Sequence, residues 1–428
     1  MVIDVSAHDS GILSSTTWPP RLQHLLEVAR TIFVTTAFDA VSIDAIVRAA
    51  GCSKETVYRH FPDKAALFRA ALELAGKDFS ARIAESGSRG TDLESQLAAQ
   101  AHTILDTAAD EGLLSALWVS LGIADDMPEF ARELREGQAV RLEPLRELLG
   151  RLAKTTATIE DALDFGSLAV AGSALLMGFK PPDAATREAH AKRTAALALY
   201  GLNGLARCSQ RQVAVVNFPA AAEGHIDRPS FSGNHVRNLL DVAGKHFLSV
   251  GFNRANLDTI AAEARVGRGT LYRHFSNKAG LFAASMRELA WSIADSSVSP
   301  PPLGTGQADA QTLCDYLAAA LSVLNSPLSI SVHRAVIVEA RRDADLAREV
   351  HSIIREPWIS PLSEWLQSVG QLHDPRWIAS QSLVLAMRGN RLIASGTTLR
   401  GAALQAQAKR TATIIVSGMP AMLNRDSR

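Results

Sequence analysis

The residues best suited to chemistry fall in two short runs, Lys54-Glu55-Thr56-Val57-Tyr58-Arg59-His60-Phe61 and Arg268-Gly269-Thr270-Leu271-Tyr272-Arg273-His274-Phe275. Each brings cations, a hydroxyl, a phenol and an imidazole together within eight residues. On a helix, Val57 and Phe61 are four apart and face inward, which turns Lys54, Thr56, Tyr58, Arg59 and His60 outward. A short helix that presents donors and an aromatic ring suits the major groove of DNA: contacts to base edges set sequence preference, and contacts to phosphates set register. Catalysis finds no such support. The chain lacks a GxSxG elbow, a GxGxxG after a strand, an HExxH and any Cys-His cluster at metal spacing. No catalytic residue, metal or cofactor is expected, and the protein is read as not an enzyme.

The elements around the first run are those needed to aim it. Leu22, Leu25, Leu26, Ala29, Ile32 and Phe33 follow the three-and-four spacing of an amphipathic helix. Ser42 precedes Ile43 to Ala50, so its hydroxyl can cap a second, short helix, and Gly51 follows as the residue best able to end it in the left-handed conformation. Only Cys52 separates that glycine from Ser53, which caps the run itself. Two short helices joined so tightly form a helix-turn-helix. Pro62 stops the second helix, Asp63 caps the next, and Lys64 stands in its first turn, where backbone amides also favour a phosphate.

The second run lies a constant 214 residues after the first, from Tyr58 to Tyr272, half of the 428-residue chain. The same offset pairs Leu25-Leu26 with Leu239-Leu240, Phe33 with Phe247, Phe38 with Phe252, Asp44 with Asp258, Lys64 with Lys278 and Leu67-Phe68 with Leu281-Phe282. Solenoid repeats run roughly 20 to 50 residues, so this period indicates a doubled domain pair. Downstream the echo weakens and drifts by two or three residues, as in Ala131-Arg132-Glu133 against Ala347-Arg348-Glu349. The expected organisation is a flexible tail over 1–20, a helix-turn-helix domain over 21–75, a helical domain over 76–200, a Pro- and Gly-bearing linker over 201–234, a second helix-turn-helix domain over 235–289 and a second helical domain over 290–428.

Composition agrees with a globular all-α chain: 47% of residues are hydrophobic, 21% charged and only 6% aromatic. Net charge is zero, so affinity for nucleic acid must come from local clusters of Lys and Arg. Cys52, Cys208 and Cys314 lie far apart and read as reduced thiols of a cytoplasmic protein. The start of the chain has no secretory pattern. The apolar run Phe165 to Phe179 is shorter than the ~20 residues of a membrane span and is expected to be a buried core helix; no membrane partner is expected.

The stretch Ser53 to Phe68, SKETVYRHFPDKAALF, closely resembles the DNA-binding signature of TetR-family transcriptional regulators. The resemblance covers Arg21 to Leu72 and His235 to Met286. It implies two tandem TetR-like halves, each a three-helix DNA-binding domain followed by a helical ligand-binding and dimerisation domain. It also implies that Tyr58, Lys64, Tyr272 and Lys278 touch phosphates. The residues expected at DNA are Ser42, Ser53, Lys54, Thr56, Tyr58, Arg59, His60 and Lys64, with Arg268, Thr270, Tyr272, Arg273, His274 and Lys278 in the second copy. The alternative for the two tyrosines is that they only pack.

The copies depart from one another in ways that bear on this expectation. Gly51 becomes Arg265 in the turn, which costs about 1 kcal/mol if the left-handed conformation is kept. Ser53 becomes Gly267 at the cap, at a cost of a few tenths. Ala37 stands where Gly251 ends the first helix of the second copy. His235 to Leu289 holds eight basic against four acidic residues, while Arg21 to Ala75 holds seven against six, so the less regular copy has the better electrostatic footprint.

In the helical domains Trp118, Phe165, Met177, His333, Trp358, Trp365 and Arg388 are candidates to line a ligand pocket, with plain core packing as the alternative. Arg388 and Arg391 could meet a carboxylate ligand or pair with acidic neighbours. Two functions are carried forward. One is a repressor that binds a double-stranded operator, is released by a small-molecule effector of unknown class, and uses its halves as an intrachain pseudo-dimer or a homodimer. The other is a helical scaffold whose motifs no longer bind DNA.

Overall fold

The computed structural model describes residues 18–35, 38, 41–109, 121–122, 127–153, 156–202, 204–205, 216, 218, 228, 234–296, 298–304, 309–369, 372 and 374–423. Every regular element among them is helical, as the composition led one to expect. The expected tail up to residue 17, Ala37, Trp118, Cys208 and most of the linker lie outside the described residues. The chain divides into two compact units, Met1–Arg82 with Asp110–Arg141, and Ile83–Ala109 with Leu142–Arg428.

The first unit is built on α1 (Pro20–Thr35), α2 (Ile43–Ala50), α3 (Lys54–His60), α4 (Lys64–Ser86) up to Arg82, and α6 (Pro128–Val140). Leu25, Leu26, Phe33, Ile46, Val57, Leu67 and Phe68 are fully buried in one core. Its aromatic centre is the group Phe33, Phe38, Phe68 and Phe130, with Phe33 and Phe68 4.6 Å apart. Arg69 of α4 holds α6 in place: it lies 2.7 Å from Glu133 and over the Phe130 ring.

The second unit contains α5 (Leu93–Ala109), α7 (Glu143–Ala153), α8 (Ile159–Ala169), a 3-10 turn (Leu175–Met177) and α9 (Ala184–Tyr200). It continues with α10 (Asn234–Arg254), α11 (Leu257–Glu263), α12 (Arg268–His274), α13 (Lys278–Ala294), α14 (Ala310–Leu324), α15 (Pro327–Glu339) and α16 (Ala344–Val369). The last elements are α17 (Pro375–Ala386), α18 (Arg391–Ser395), α19 (Gly401–Ser417) and α20 (Met419–Leu423). Within it α5 packs on α9 and, correspondingly, α14 on α19; α8 and α9 then pack on α17 and α19. Linker residues Val216 and Phe218 are buried here, Phe218 edge-on to His190.

Two features hold α8 and α9 to α17 and α19. The first is close backbone approach. A Cβ on Gly201 would lie 2.4 Å from the Val416 carbonyl oxygen, and one on Gly418 would lie 2.4 Å from that of Leu199. The contact is reciprocal, since Gly201 and Leu199 recur as Gly418 and Val416. Gly172 against Val384 and Gly389 against Ser167 form a second reciprocal pair. The second feature is charge. Asp164, 2% exposed, accepts from Arg391 at 2.6 Å and from Arg410 at 2.8 Å. Asp161 caps its own helix through the Thr158 amide and also accepts from Arg410 at 2.7 Å. Arg391 thus pairs with acidic neighbours, the second of its two readings.

The run Phe165 to Phe179 is buried but is not one helix. Helix α8 stops at Ala169, and Ala171 and Gly172 take positive φ of 51° and 64° before the 3-10 turn. Arg388 and Gly389 break the second half in the same way, with φ of 50° and 67°. The apolar periodicity continues through both breaks because core packing, not composition, sets them. Among the described residues no single helix is long and apolar enough to cross a membrane.

Replacing Asp164 by Asn should cost about 3 kcal/mol of unfolding free energy, because two half-buried guanidiniums lose their shared counter-charge. Urea unfolding followed by circular dichroism measures it, and a loss under 1 kcal/mol would mean the network is not a clamp.

Candidate nucleic-acid interface

The two helix-turn-helix segments are built to one plan, and local chemistry accounts for most of it. In the first, the Ser42 hydroxyl accepts from the Ala45 amide at 3.1 Å and starts α2. Gly51 ends it with φ 62° and ψ 34°, its amide bonded to the Val47 carbonyl. The Ser53 hydroxyl accepts from the Thr56 amide at 3.1 Å and starts α3, and Asp63 takes the Ala66 amide at 2.7 Å to start α4. In the second, Asn256 does the work of Ser42 with bonds to Asp258 and Thr259, and Asn277 does that of Asp63. Gly267 caps α12 with no side-chain bond.

Arg265 adopts the left-handed turn, φ 55°, in place of Gly51, so the helix-turn-helix geometry is kept at the expense of strain on a residue with a Cβ. A Cβ on Gly51 would meet nothing within 4 Å, so conformation rather than space distinguishes the two positions.

Helices α3 and α12 present matching faces. Val57 and Leu271 are buried at 1% each, and Phe61 and Phe275 close the hydrophobic side behind them. Tyr58 and Tyr272 are each 52% exposed, which speaks against a packing role. Lys54, Arg59 and His60, and likewise Arg268, Arg273 and His274, are exposed; Thr56 and Thr270 are half-buried. Ser42 and Ser53 are exposed with their oxygens engaged as caps.

Several of these cations already have partners. Lys54 lies 2.7 Å from Asp44 of α2, and Arg268 pairs with Asp258 of α11. Arg59 pairs with Glu55 at 2.6 Å. Lys54 is held above the ordinary lysine range by its hydrogen bond to Asp44. Exposed pairs of this kind are screened by water and hold their partners only weakly, so a phosphate can displace the carboxylate. The lysines that follow are held differently. The Lys64 ammonium donates to the carbonyls of Phe38 at 2.7 Å and Val41 at 3.1 Å and lies over the Phe38 ring at 4.6 Å. Lys278 repeats this with the Asn253 carbonyl at 3.0 Å and the Phe252 ring at 5.1 Å. Both therefore tie the chain just before α2 or α11 to the start of α4 or α13.

Asp44 and Asp258 recur at the repeat offset, but their role follows from tertiary packing that sets α2 against α3 and α11 against α12, which spacing alone does not encode.

The ligand candidates disperse. Phe165 and Met177 are fully buried core residues of the second unit. Trp358 is buried, its carbonyl accepting from Tyr316 at 2.7 Å; the Trp365 indole donates to the Gly304 carbonyl at 2.9 Å. Arg388 donates to Gln407 at 3.0 Å. His333 is buried, its Nδ1 2.8 Å from the Ser329 carbonyl and its Nε2 without a partner among the described residues.

Residues 25–71 and 239–285 each match the family model described as bacterial regulatory proteins, tetR family. A 69-residue stretch is 35% identical to the DNA-binding transcriptional repressor TetR of Mycobacteroides abscessus; it covers 16% of this chain and 36% of that protein, so the match spans about a third of the curated relative's length. A TetR-family transcriptional regulator from Mesorhizobium loti aligns over 98% of its own chain and 44% of this one, at 20% identity and a TM-score of 0.36. The flavonoid-responsive regulator FrrA aligns over 96% and 43%, at 25% identity and 0.37.

Arg265→Gly should stabilise the protein by about 1 kcal/mol by relieving the left-handed strain, and Gly51→Arg should destabilise it by a similar amount. Chemical denaturation of the two variants gives opposite shifts if φ sets the cost; shifts of one sign would show that it does not.

Proposed function

We propose, from the membership of residues 25–71 and 239–285 in the tetR family of bacterial regulatory proteins, that the chain is a sequence-specific DNA-binding transcriptional repressor released by a small-molecule effector. The observation that carries the reading is the duplicated, equally exposed Tyr58 and Tyr272 beside matching cations on two capped short helices. In this reading Tyr58, Tyr272, Lys64 and Lys278 contact phosphates, and Lys54, Thr56, His60, Arg268, Thr270 and His274 reach bases or backbone. Ser42, Ser53, Arg59 and Arg273 complete the surface. The segments held by Lys64 and Lys278 keep each recognition helix at a fixed pitch.

The halves act as an intrachain pseudo-dimer. Support comes from the reciprocal approach of Gly201 and Gly418 to each other's helix ends, which is the pattern of an isologous two-fold contact. Since α3 and α12 differ at their first two residues, the operator has unlike half-sites about one helical turn apart. The proposed site of action is the cytoplasm, and no catalytic activity is proposed.

The scaffold reading draws on one observation, that Lys54, Arg59 and Arg268 are paired within the protein. Selection of genomic fragments at ~150 mM salt distinguishes the two readings, because non-specific phosphate binding weakens with salt. A repressor enriches one site, and Tyr58→Ala or Tyr272→Ala each weakens it by roughly 10-fold or more. No enrichment, with the variants indistinguishable from the parent, would leave the scaffold.

A further inference from the structure

Helix α16 carries His351 and Arg355 one turn apart, both buried, facing His333 of α15. His333 and His351 stand edge to face with ring centres 6.1 Å apart, and the Phe179 ring closes on His351 at 5.5 Å. Among the described residues, three polar atoms in this cluster find no hydrogen-bond partner: Nε2 of His333, Nδ1 of His351 and Nε of Arg355. No ion pair to Arg355 is formed by a described carboxylate, and burial alone pushes its guanidinium down to about 10. Burial and the same guanidinium push His333 down to about 4 and hold His351 well below the ordinary histidine range. A guanidinium left buried without a counter-charge is strongly unfavourable, so the cluster is one anion short of neutrality. A metal ion would aggravate the deficit.

We propose that His333, His351 and Arg355 form a buried site for a small organic carboxylate. Arg355 supplies the counter-charge. Nδ1 of His351 donates the flanking hydrogen bond. Nδ1–H of His333 is spent on the Ser329 carbonyl at 2.8 Å, which leaves Nε2 as an acceptor and favours a carboxylate that also bears a hydroxyl. Phe179 provides an apolar wall for the body of the ligand. Its segment is anchored by Arg348 of α16 donating to the Gly178 carbonyl. Helix α6, which echoes α16 in the first half, contains no histidine and so has no counterpart of His351.

The position gives the site a route to DNA. Helices α15 and α16 both pack against α13, and Arg287 of α13 pairs with Glu349 at 2.6 Å, two residues before His351. The regulatory part of the proposal rests on the repressor reading above; the binding part does not.

The test uses the full chain and measures thermal unfolding with acetate, lactate, benzoate and 3-hydroxybenzoate, with 3-hydroxybenzyl alcohol as the neutral control. At least one carboxylate should raise the midpoint by a few degrees where the alcohol does not, and Arg355→Met should abolish the rise while the unliganded variant stays at least as stable as the parent. If the Met variant does not fold, Arg355→Lys takes its place and should keep a reduced rise. No carboxylate-specific rise, or an equal rise in the variant, overturns the site. Fragment binding with and without the best carboxylate separates the two parts. Retained DNA binding unaffected by a carboxylate that does stabilise the protein removes the effector role alone. Absence of DNA binding removes the repressor reading and leaves the site.

Discussion

At the ends of α9 and α19 two backbones come so close that no side-chain carbon fits between them, and much of the second unit is arranged around that approach. Gly201 and Gly418 both leave their helices with positive φ and both return their amide to the carbonyl four residues back, Leu197 and Ile414. Once these helix ends are in register, α8 and α17 are brought alongside, and the paired turns at Ala171-Gly172 and Arg388-Gly389 lie near one another. The charges follow the same geometry. Arg391 and Arg410 converge on Asp164 across the same contact, so the ion network reinforces the packing and fixes its register.

The helix-turn-helix segments rest on a different kind of constraint, one that is almost wholly local. Helices α2, α3, α4, α11 and α13 are each started by a hydroxyl, carboxylate or amide side chain within three residues of the amide it satisfies, α12 starts at Gly267 without one, and α2 ends on a residue held left-handed. The retention of φ 55° at Arg265 shows how firmly that turn is imposed, even on a residue with a Cβ. Strain accepted at one residue preserves the pitch of α12, and with it the matching exposure of Tyr58 and Tyr272.

This division explains what the sequence made legible. Caps, turn residues and the inward positions Val57 and Phe61 are decided within a few residues, so the two helix-turn-helix segments could be placed from their residue types. The partners of Arg391, Arg410 and Arg193 lie more than 150 residues away, and no local pattern encodes such pairings. The breaks at Ala171-Gly172, inside the run Phe165 to Phe179, and at Arg388-Gly389 were hidden for a related reason: an apolar run reads the same whether or not it turns. At the site, the exposed face of α3 followed from spacing, whereas the bonding of Lys64 to two carbonyls depended on where the preceding loop runs.

The reciprocal glycine contacts also bear on how such a chain changes over time. When two identical subunits meet across a two-fold axis, every substitution at the seam strikes twice, and a clash on one side is met by the same clash on the other. Here both sides are written separately in one chain. Leu199 faces Gly418 while Val416 faces Gly201, and Ser167 and Val384 have already diverged at matching positions against Gly389 and Gly172. Each side of the seam can drift alone, with its partner held constant, and residues that would be forbidden in duplicate become accessible one at a time.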